Sequence, residues 1–412
     1  MRVAHFVQRY PPALGGSEAY FARLGRWLAA SGDEVTVFTS NAVDLTALWS
    51  PRGRRLPAGV TREDGGEVRR YDVWRPPGRR WLLKPLSLFP HRAWQALTMT
   101  CNPISRRMWR DAGRTSEHFD VVHATAFPYA FPIVCARRLA RRLGVPFVLT
   151  PFLHIGDPDN PNDRTRRSFT RPALMELART ADRLFVQTEG ERLALLERGV
   201  PAERLVSQGM GLDRESCTGG DRERVRAEWG VGREDVVVGH LANNSREKGT
   251  VDLLMAAEGA WRSGGRFHVV LAGPEMPNFQ RFWTTYGPAG RVRRLGVLDD
   301  KGKRDFFAGL DVFALPSRWD SFGIVLLEAW ANGAPNVAYR AGGPAWVIRH
   351  ESDGLLVRCG DVDGLAAALL RLEGDAELRR RLGETGRERT RKEFNWEDKL
   401  RMVQRAYEDL ST

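Results

Sequence analysis

The sequence predicts an α/β protein built from two doubly wound, Rossmann-like domains. Three observations carry that expectation. Short apolar runs alternate with helical patterns along most of the chain, as parallel α/β architecture requires. The alternation stops at SQGMGLDRESCTGGD, a glycine-rich and polar stretch near residues 206–222, and then restarts. The 412 residues suffice for two or three domains, at about 100–200 residues each.

In the first half the spacing predicts strands at Val3–Val7, Val35–Thr39, Val121–Ala124, Phe147–Thr150 and Leu184–Gln187. A helix from about Ser17 to Ser31 joins the first two. Its apolar positions Tyr20, Phe21, Leu24, Trp27 and Leu28 fall at helical spacing, and Gly32 closes it. The second half predicts strands at Val236–Ala242, His268–Ala272, Arg293–Val297, Val312–Leu315, Asn336–Tyr339 and Leu355–Arg358. A basic amphipathic stretch, Ala376–Lys392, precedes a last helix over about Trp396–Leu410. The expected domains are therefore residues 1–210, residues 211–394 and a terminal helix over 395–412. Residues 49–114 break the alternation: they hold PRGRRLP, RPPGRRWLLKPLSLFP and the tryptophans Trp49, Trp74, Trp81, Trp94 and Trp109. A long insertion of distinct composition inside a domain is more often functional than idle.

Charge is distributed unevenly. The net charge is +12, and residues 1–210 hold 32 basic and 20 acidic side chains while the remainder is balanced at 31 of each. Residues 52–114 alone carry 15 basic and 5 acidic groups. At 42% hydrophobic residues the chain can build large cores, which excludes wholesale disorder. No apolar run is long enough for a spanning helix, and MRVAHFVQRYPPALGG is too interrupted for a signal-peptide core. Cys101, Cys135, Cys217 and Cys359 are scattered, which points to a reduced cytosolic compartment with neither a disulfide framework nor a zinc site.

Three places hold residue types suited to an anionic or sugar ligand. In PPALGGSEAYFARL, Gly15 and Gly16 precede a helix whose free N–H groups and dipole favour an anion, though GG before a helix also serves as a plain turn. It is not the GxGxxG dinucleotide fingerprint. In GHLANNSREKGTVDLL, Arg246 and Lys248 stand on a loop before a helix, where cations meet a diphosphate or simply face solvent; the Walker pattern is absent. The densest signal is ALPSRWDSFGIVLLEAWANGAP. Asp320 and Glu328 lie eight residues apart, so one carboxylate stands in the loop above a helix and the other two turns down. Backbone N–H groups at Ser321, Phe322 and Gly323 lie between them, and carboxylates accept paired hydrogen bonds from vicinal hydroxyls. A helix cap with a buried, paired glutamate is the alternative.

With GGSE near the N-terminus, EKG after the first strand of the second half, D-x7-E at Asp320 and Glu328, YRAGGPAWVI and the closing FNWEDKLRMVQRAYEDL, the chain resembles glycosyltransferase family 4. The resemblance covers nearly everything outside residues 49–114. It implies the GT-B fold: two Rossmann-like domains facing a cleft, the nucleotide-sugar donor held mainly by the second, and a terminal helix crossing back to the first. It implies a retaining, metal-independent transfer with no cofactor.

The resemblance also implies roles. Glu328 would hold the donor ribose hydroxyls, Asp320 would face the donor sugar, and Lys248 would bind the diphosphate with backbone groups at Ser321–Gly323 and Gly16. His154, in LTPFLHIG, matches the active-site histidine; His123, in DVVHATAF, ends a strand in a similar way. Three departures stand out: Asp320 where glutamate is usual, His240 where arginine is common, with Arg246 or Asn243 as substitutes, and no acid near Trp346 after the second GG.

A UDP- or GDP-sugar donor and a glycan, lipid-linked or small-molecule acceptor follow. The arginine- and tryptophan-rich stretch fits an anionic membrane surface at the inner face, with Arg79, Arg80, Trp81 and Lys84 as its acceptor-side or membrane-side candidates. A solvated arginine-rich surface is the alternative there, since arginine outnumbers lysine 57 to 6; nucleic acid lacks any recognition motif. A nucleotide-sugar epimerase of related fold and a catalytically silent sugar-nucleotide-binding protein remain the competing functions.

Overall fold

The computed structural model describes residues 1–287 and 290–411. Its first unit takes in Met1–Leu153, Arg167–Gln208 and the chain from Leu400 onward. Along the chain run β1 (Arg2–Val7), α1 (Gly16–Ala30), β2 (Glu34–Ser40), β3 (Gly59–Glu63), β4 (Gly66–Tyr71), α2 (Arg79–Leu86), α3 (Arg92–Thr98) and α4 (Arg106–Arg114). Then follow β5 (Val121–Ala124), α5 (Ala130–Leu143), β6 (Phe147–Leu149), α6 (Arg164–Phe169), α7 (Pro172–Arg179), β7 (Arg183–Val186), α8 (Glu189–Leu196) and β8 (Leu205–Ser207). The eight strands order as β3-β4-β2-β1-β5-β6-β7-β8. Every neighbour is parallel except the β3–β4 hairpin. Val3, Ala4, Phe6 and Val7 of β1 are fully buried, because helices cover both faces of a parallel sheet and its central strands become continuous apolar runs.

The stretch expected to interrupt the alternation in fact begins inside the sheet. Strand β4 pairs in parallel with β2, Val68 opposite Val37, and hairpins back through β3. Its sequence, GEVRRY, hides this because two of its side chains are arginines. Arg70 reaches Glu63 at 2.7 Å, while Arg69 meets Glu67 at 2.5 Å and Glu117 at 2.8 Å, so the strand carries cations that its neighbours neutralise. Only from α2 does the segment leave the sheet. There Arg79, expected to face an acceptor or membrane, is buried instead. Its guanidinium donates to the carbonyl oxygens of Leu48, at 2.9 Å, and Asn102. Residues Arg80, Trp81 and Lys84 of the same helix are exposed.

His123 is also a core residue. Its ring bonds Thr150 Oγ1 at 2.8 Å through Nε2 and the Tyr407 hydroxyl through Nδ1. Tyr407 lies in the final helix, which from Leu400 belongs to this unit; there Gln404 accepts from Trp27 Nε1 at 3.0 Å.

The second unit comprises His154–Arg166 and Gly209–Lys399. The short segment from His154 to Arg166, expected within the first domain, is thus part of the second unit. It is tied there by a hydrogen bond from Gly342 N to Gly156 O at 2.7 Å. The elements are α9 (Arg222–Trp229), β9 (Val237–Leu241), α10 (Thr250–Arg262), β10 (His268–Ala272), α11 (Pro277–Trp283), β11 (Val292–Arg294), α12 (Asp300–Gly309) and β12 (Val312–Leu315). They continue with α13 (Ile324–Ala331), β13 (Asn336–Tyr339), α14 (Pro344–Val347), β14 (Gly354–Val357), α15 (Val362–Gly374), α16 (Ala376–Lys392) and the first turn of α17 (Trp396–Ser411), which from Leu400 belongs to the first unit. Six parallel strands order as β11-β10-β9-β12-β13-β14. Reversal of strand order beside β9 makes this a doubly wound sheet, whose ligands collect at the carboxyl ends of the strands. The four cysteines form no disulfide, and among the described residues no helix is long and apolar enough to cross a membrane.

Candidate functional site

The carboxyl ends of β9 and β12 deliver the two loops that matter. After β9 the chain turns through Asn243, Ser245, Arg246 and Glu247 to Lys248. The Lys248 amide donates to Ser245 Oγ at 3.1 Å, which closes the turn. Gly249 then starts α10 with φ +76°, a conformation that favours glycine, and a Cβ there would overlap the carbonyl oxygen of Pro316. Close approach of this loop to the one after β12 is therefore possible only with glycine at 249. The outcome is direct contact between their side chains: Lys248 Nζ donates to Asp320 Oδ2 at 2.7 Å and to Trp319 O at 2.9 Å.

The second glycine pair explains itself in the same way. Gly342 has φ +56°, and a Cβ on it would strike the Asp320 carbonyl; one on Gly343 would strike the Phe322 backbone. Gly343 N instead donates to Asp320 O at 2.8 Å. YRAGGPAWVI thus holds the Asp320 loop from behind. Phe322 N reaches back to Asp320 Oδ1 at 3.5 Å, and Gly323, at φ +89°, opens α13 with free N–H groups at its first turn.

His154 belongs to this cluster. It lines a pocket of about 540 Å³ together with Lys248, Asn243, Ser245, Glu247 and Trp319. Burial pushes its imidazole down to about 4, the Lys248 cation adds to the fall, and the Asp320 carboxylate opposes it. The ring is neutral at pH 7. Burial by itself would raise the Asp320 carboxyl, but Lys248 outweighs it and holds the group below its ordinary value. The result is a neutral imidazole and a cation on the wall of one concavity, with the Asp320 carboxylate held by that cation.

Glu328 sits lower on α13 and is 6% exposed. Burial raises its carboxyl, and Lys303 of α12, with Nζ 2.5 Å from Oε1, works against that rise. Lys303 carries no motif in the sequence; it is one cation among several in DDKGKRDFF, and only the tertiary fold, which brings α12 within ion-pair reach of α13, selects it. Arg246 is exposed and does not line the pocket. His240 does not replace the usual arginine either. Its Nδ1 meets Ala314 O at 2.8 Å and its Nε2 meets Thr250 Oγ1 at 2.9 Å, so both ring nitrogens are used inside the fold. Burial holds it near 4 and neutral.

Gly15 and Gly16 lie in the first unit at the start of α1. Glu18 folds back against Gly15, where a Cβ would collide with its carboxylate, and Glu18 pairs with Arg9 at 2.6 Å. Gly16 is different: a Cβ on it would meet nothing within 4 Å. A Cβ at 15 would require the Glu18 carboxylate to shift, and nothing inside the fold demands glycine at 16. Among the described residues no cluster of three His, Cys, Asp or Glu side chains is placed to hold a metal ion.

Two family descriptions match the chain, "Glycosyl transferase 4-like domain" over residues 15–208 and "Glycosyl transferases group 1" over residues 221–389. The chain is 29% identical to a D-inositol 3-phosphate glycosyltransferase of Frankia alni, across 95% of its own length and 94% of that protein. It is 42% identical to the lipopolysaccharide core biosynthesis glycosyltransferase LpsE of Rhizobium meliloti, but over 116 residues, 28% of this chain. That match spans only 34% of LpsE. Sucrose-phosphate synthase from Thermosynechococcus elongatus superposes with a TM-score of 0.75 at 22% identity, covering 99% of this chain and 98% of that one. Anabaena HepE in complex with UDP-glucose superposes at 0.71 and 19% identity over the full length of both. At those identities the two structures speak to the fold.

Proposed function

The chain belongs to the family 4 type of glycosyltransferases, and from that premise we propose that it transfers a sugar from a nucleotide-diphosphate donor, with retention and without a metal. The single observation that carries the site is the contact of Lys248 with Asp320 beside His154. When the donor C1–O bond breaks, negative charge grows on the departing diphosphate. A lysine and the N–H groups that open α13 stabilise that charge more in the transition state than in the ground state. Asp320 then faces the sugar on which positive character develops. Neutral His154 can donate or accept a hydrogen bond there without adding charge. Glu328, oriented by Lys303, is suited to take the ribose hydroxyls as a paired acceptor.

The donor is a UDP- or GDP-sugar; HepE, described with UDP-glucose bound, favours the first. The acceptor is a glycan, a lipid-linked saccharide or a small molecule, and the relatives' names include lipopolysaccharide core and inositol phosphate transferases. Those names favour transfer over the epimerase and silent-binder readings. Cytoplasmic placement at the inner face of a membrane is part of the same proposal, supported by the basic, tryptophan-rich stretch 52–114.

A panel of UDP- and GDP-sugars offered with acceptor fractions tests the reading, comparing the wild type with Lys248→Ala and Glu328→Ala. Transfer that depends on both residues and survives a chelator is expected. Full activity in both variants would overturn the site.

A further inference from the structure

Between Asp72 and Asp111 the chain has 38 residues without a single acid, and eight arginines or lysines among them. Two are engaged inside the fold. Arg79 is held as described, and Arg75 donates to Asn41 Oδ1 at 2.6 Å and to Ala47 O. The other six, Arg80, Lys84, Arg92, Arg106, Arg107 and Arg110, are exposed, and none has an ion-pair partner among the described residues.

The same segment gathers the exposed apolar surface. Of the fifteen large hydrophobic side chains exposed among the described residues, six fall between positions 81 and 94. The most exposed are Trp81 at 79%, Leu88 at 75%, Phe89 at 61% and Leu82 at 55%. Scattered exposed hydrophobics need no explanation, but six within fourteen consecutive residues, interspersed with exposed Arg80, Lys84 and Arg92, do. Buried Leu83 and the Arg79 guanidinium anchor one side of α2, which leaves Trp81 and Leu82 outward. The turn after it is closed by hydrogen bonds from Ser87 N to Leu83 O at 2.9 Å and Leu88 N to Pro85 O at 3.1 Å.

Immediately after Phe89 the chain enters the wall of a pocket of about 430 Å³ between α3, α5 and α7. Its charged lining is Arg92, Arg137 and Arg141, with His91 beside them and Glu176 as the acid present. Glu176 is itself paired with Arg179 at 3.2 Å.

We infer that α2, the following turn and this arginine pocket form one docking surface for an anionic phospholipid bilayer. Trp81, Leu82, Leu88 and Phe89 enter the headgroup–acyl boundary, and the pocket takes a headgroup phosphate. Charge complementarity selects that partner: aromatic and aliphatic side chains flanked by cations are what an interfacial element needs. A protein partner's apolar core would instead leave Arg80, Lys84 and Arg92 to be matched one by one. The inference rests on the membrane-side part of the proposed function and is independent of the sugar-transfer chemistry.

Sedimentation of the full chain with vesicles tests it, without donor or acceptor. Vesicles of phosphatidylcholine with 30% phosphatidylglycerol should bind at least tenfold more tightly than pure phosphatidylcholine, and 0.5 M salt should erase most of the difference. The Trp81→Ser/Leu82→Ser/Phe89→Ser variant should lose tenfold or more in binding. Arg92→Gln/Arg141→Gln should lose the preference for the anionic vesicle. Both variants change exposed side chains, and unaltered binding of UDP by calorimetry relative to the wild type checks that they are folded. No sedimentation with the anionic vesicle, wild-type binding by the triple variant, or equally tight binding to a DNA duplex would each overturn the inference. Donor transfer in solution is read separately, so failure here is distinguishable from failure of the transferase reading.

Discussion

Lys248 Nζ lies 2.7 Å from Asp320 Oδ2, although 72 residues separate them in the chain. Neither is fully buried: their side chains keep 26% and 18% exposure, so a ligand can reach both. The pair therefore has two jobs, holding the β9 and β12 loops together and presenting a cation beside a carboxylate.

Substitutions at the two ends of the pair separate those jobs. Lys248→Ala should lower kcat/KM for transfer by about 100-fold or more, the usual effect of deleting one group that stabilises a developing anion. Asp320→Asn keeps a hydrogen-bond acceptor for Lys248 while abolishing the carboxylate. Steady-state transfer assays on both variants, with thermal unfolding as a control, check this. Equal, small losses in the two would show that the pair is merely structural.

The two glycines at the helix starts should behave oppositely. Gly249→Ala must break a φ of +76° and displace Pro316, so it should destabilise the second unit by about 1–3 kcal/mol and impair transfer. Gly16→Ala meets no neighbour and replaces glycine by a better helix former, so stability should hold or rise by up to about 1 kcal/mol. Loss of transfer in a stable Gly16→Ala protein would mean that a ligand approaches that backbone. Calorimetric unfolding and transfer rates measured together decide between these outcomes.

Lys303→Ala should cost about 1–3 kcal/mol, because it leaves the buried Glu328 carboxylate without its partner. Donor affinity measured by calorimetry should fall with it. Glu328→Gln should restore stability in that background and not affinity. Unchanged donor affinity in Lys303→Ala would remove this ion pair from the binding site.

Acid should weaken the fold well before most carboxylates titrate. Burial lowers His5 to about 3 and His154 and His240 to about 4, and holds His123 well below its ordinary value. All four enter the fold neutral. Their stabilisation is complete above the unfolded value of about 6.5 and is lost as pH falls, at about 1.4 kcal/mol per unit for each. Glu191, raised by burial to about 7, and Glu328, also raised by burial, act with the opposite sign, losing stability as pH rises. Half-buried His268, also lowered, acts with the histidines, and Asp353, raised by burial, acts with the two glutamates. Five groups oppose three, so urea midpoints followed by tryptophan fluorescence should drop between pH 6.5 and 5. A midpoint that climbs over that interval would contradict the neutral assignment of these histidines.

Strands such as Val121–Ala124, His268–Ala272 and Val312–Leu315 were legible because a strand covered on both faces must be an unbroken apolar run. Strand β4 was not, since its Arg69 and Arg70 are tolerable in a sheet only through carboxylates supplied by Glu63, Glu67 and Glu117. Lys248, Asp320 and Glu328 were legible as candidates because a glycine punctuates the first loop and a fixed helical spacing relates the other two. Lys303 was not, because only the tertiary fold brings its partner within reach.

Composition, alternation and glycine placement by themselves determined two parallel α/β units and the loops that would carry chemistry, since those depend on local backbone limits and on which residues water rejects. The tertiary structure alone decided which of several similar side chains does what. It turned Arg79 inward as a staple and left Arg80 outside. It enclosed His123 and His240 in the two cores and set His154 in the wall of the pocket beside Lys248. Residue type sets what a side chain can do, but its function depends on which partners, and how much water, the fold brings within about 3 Å.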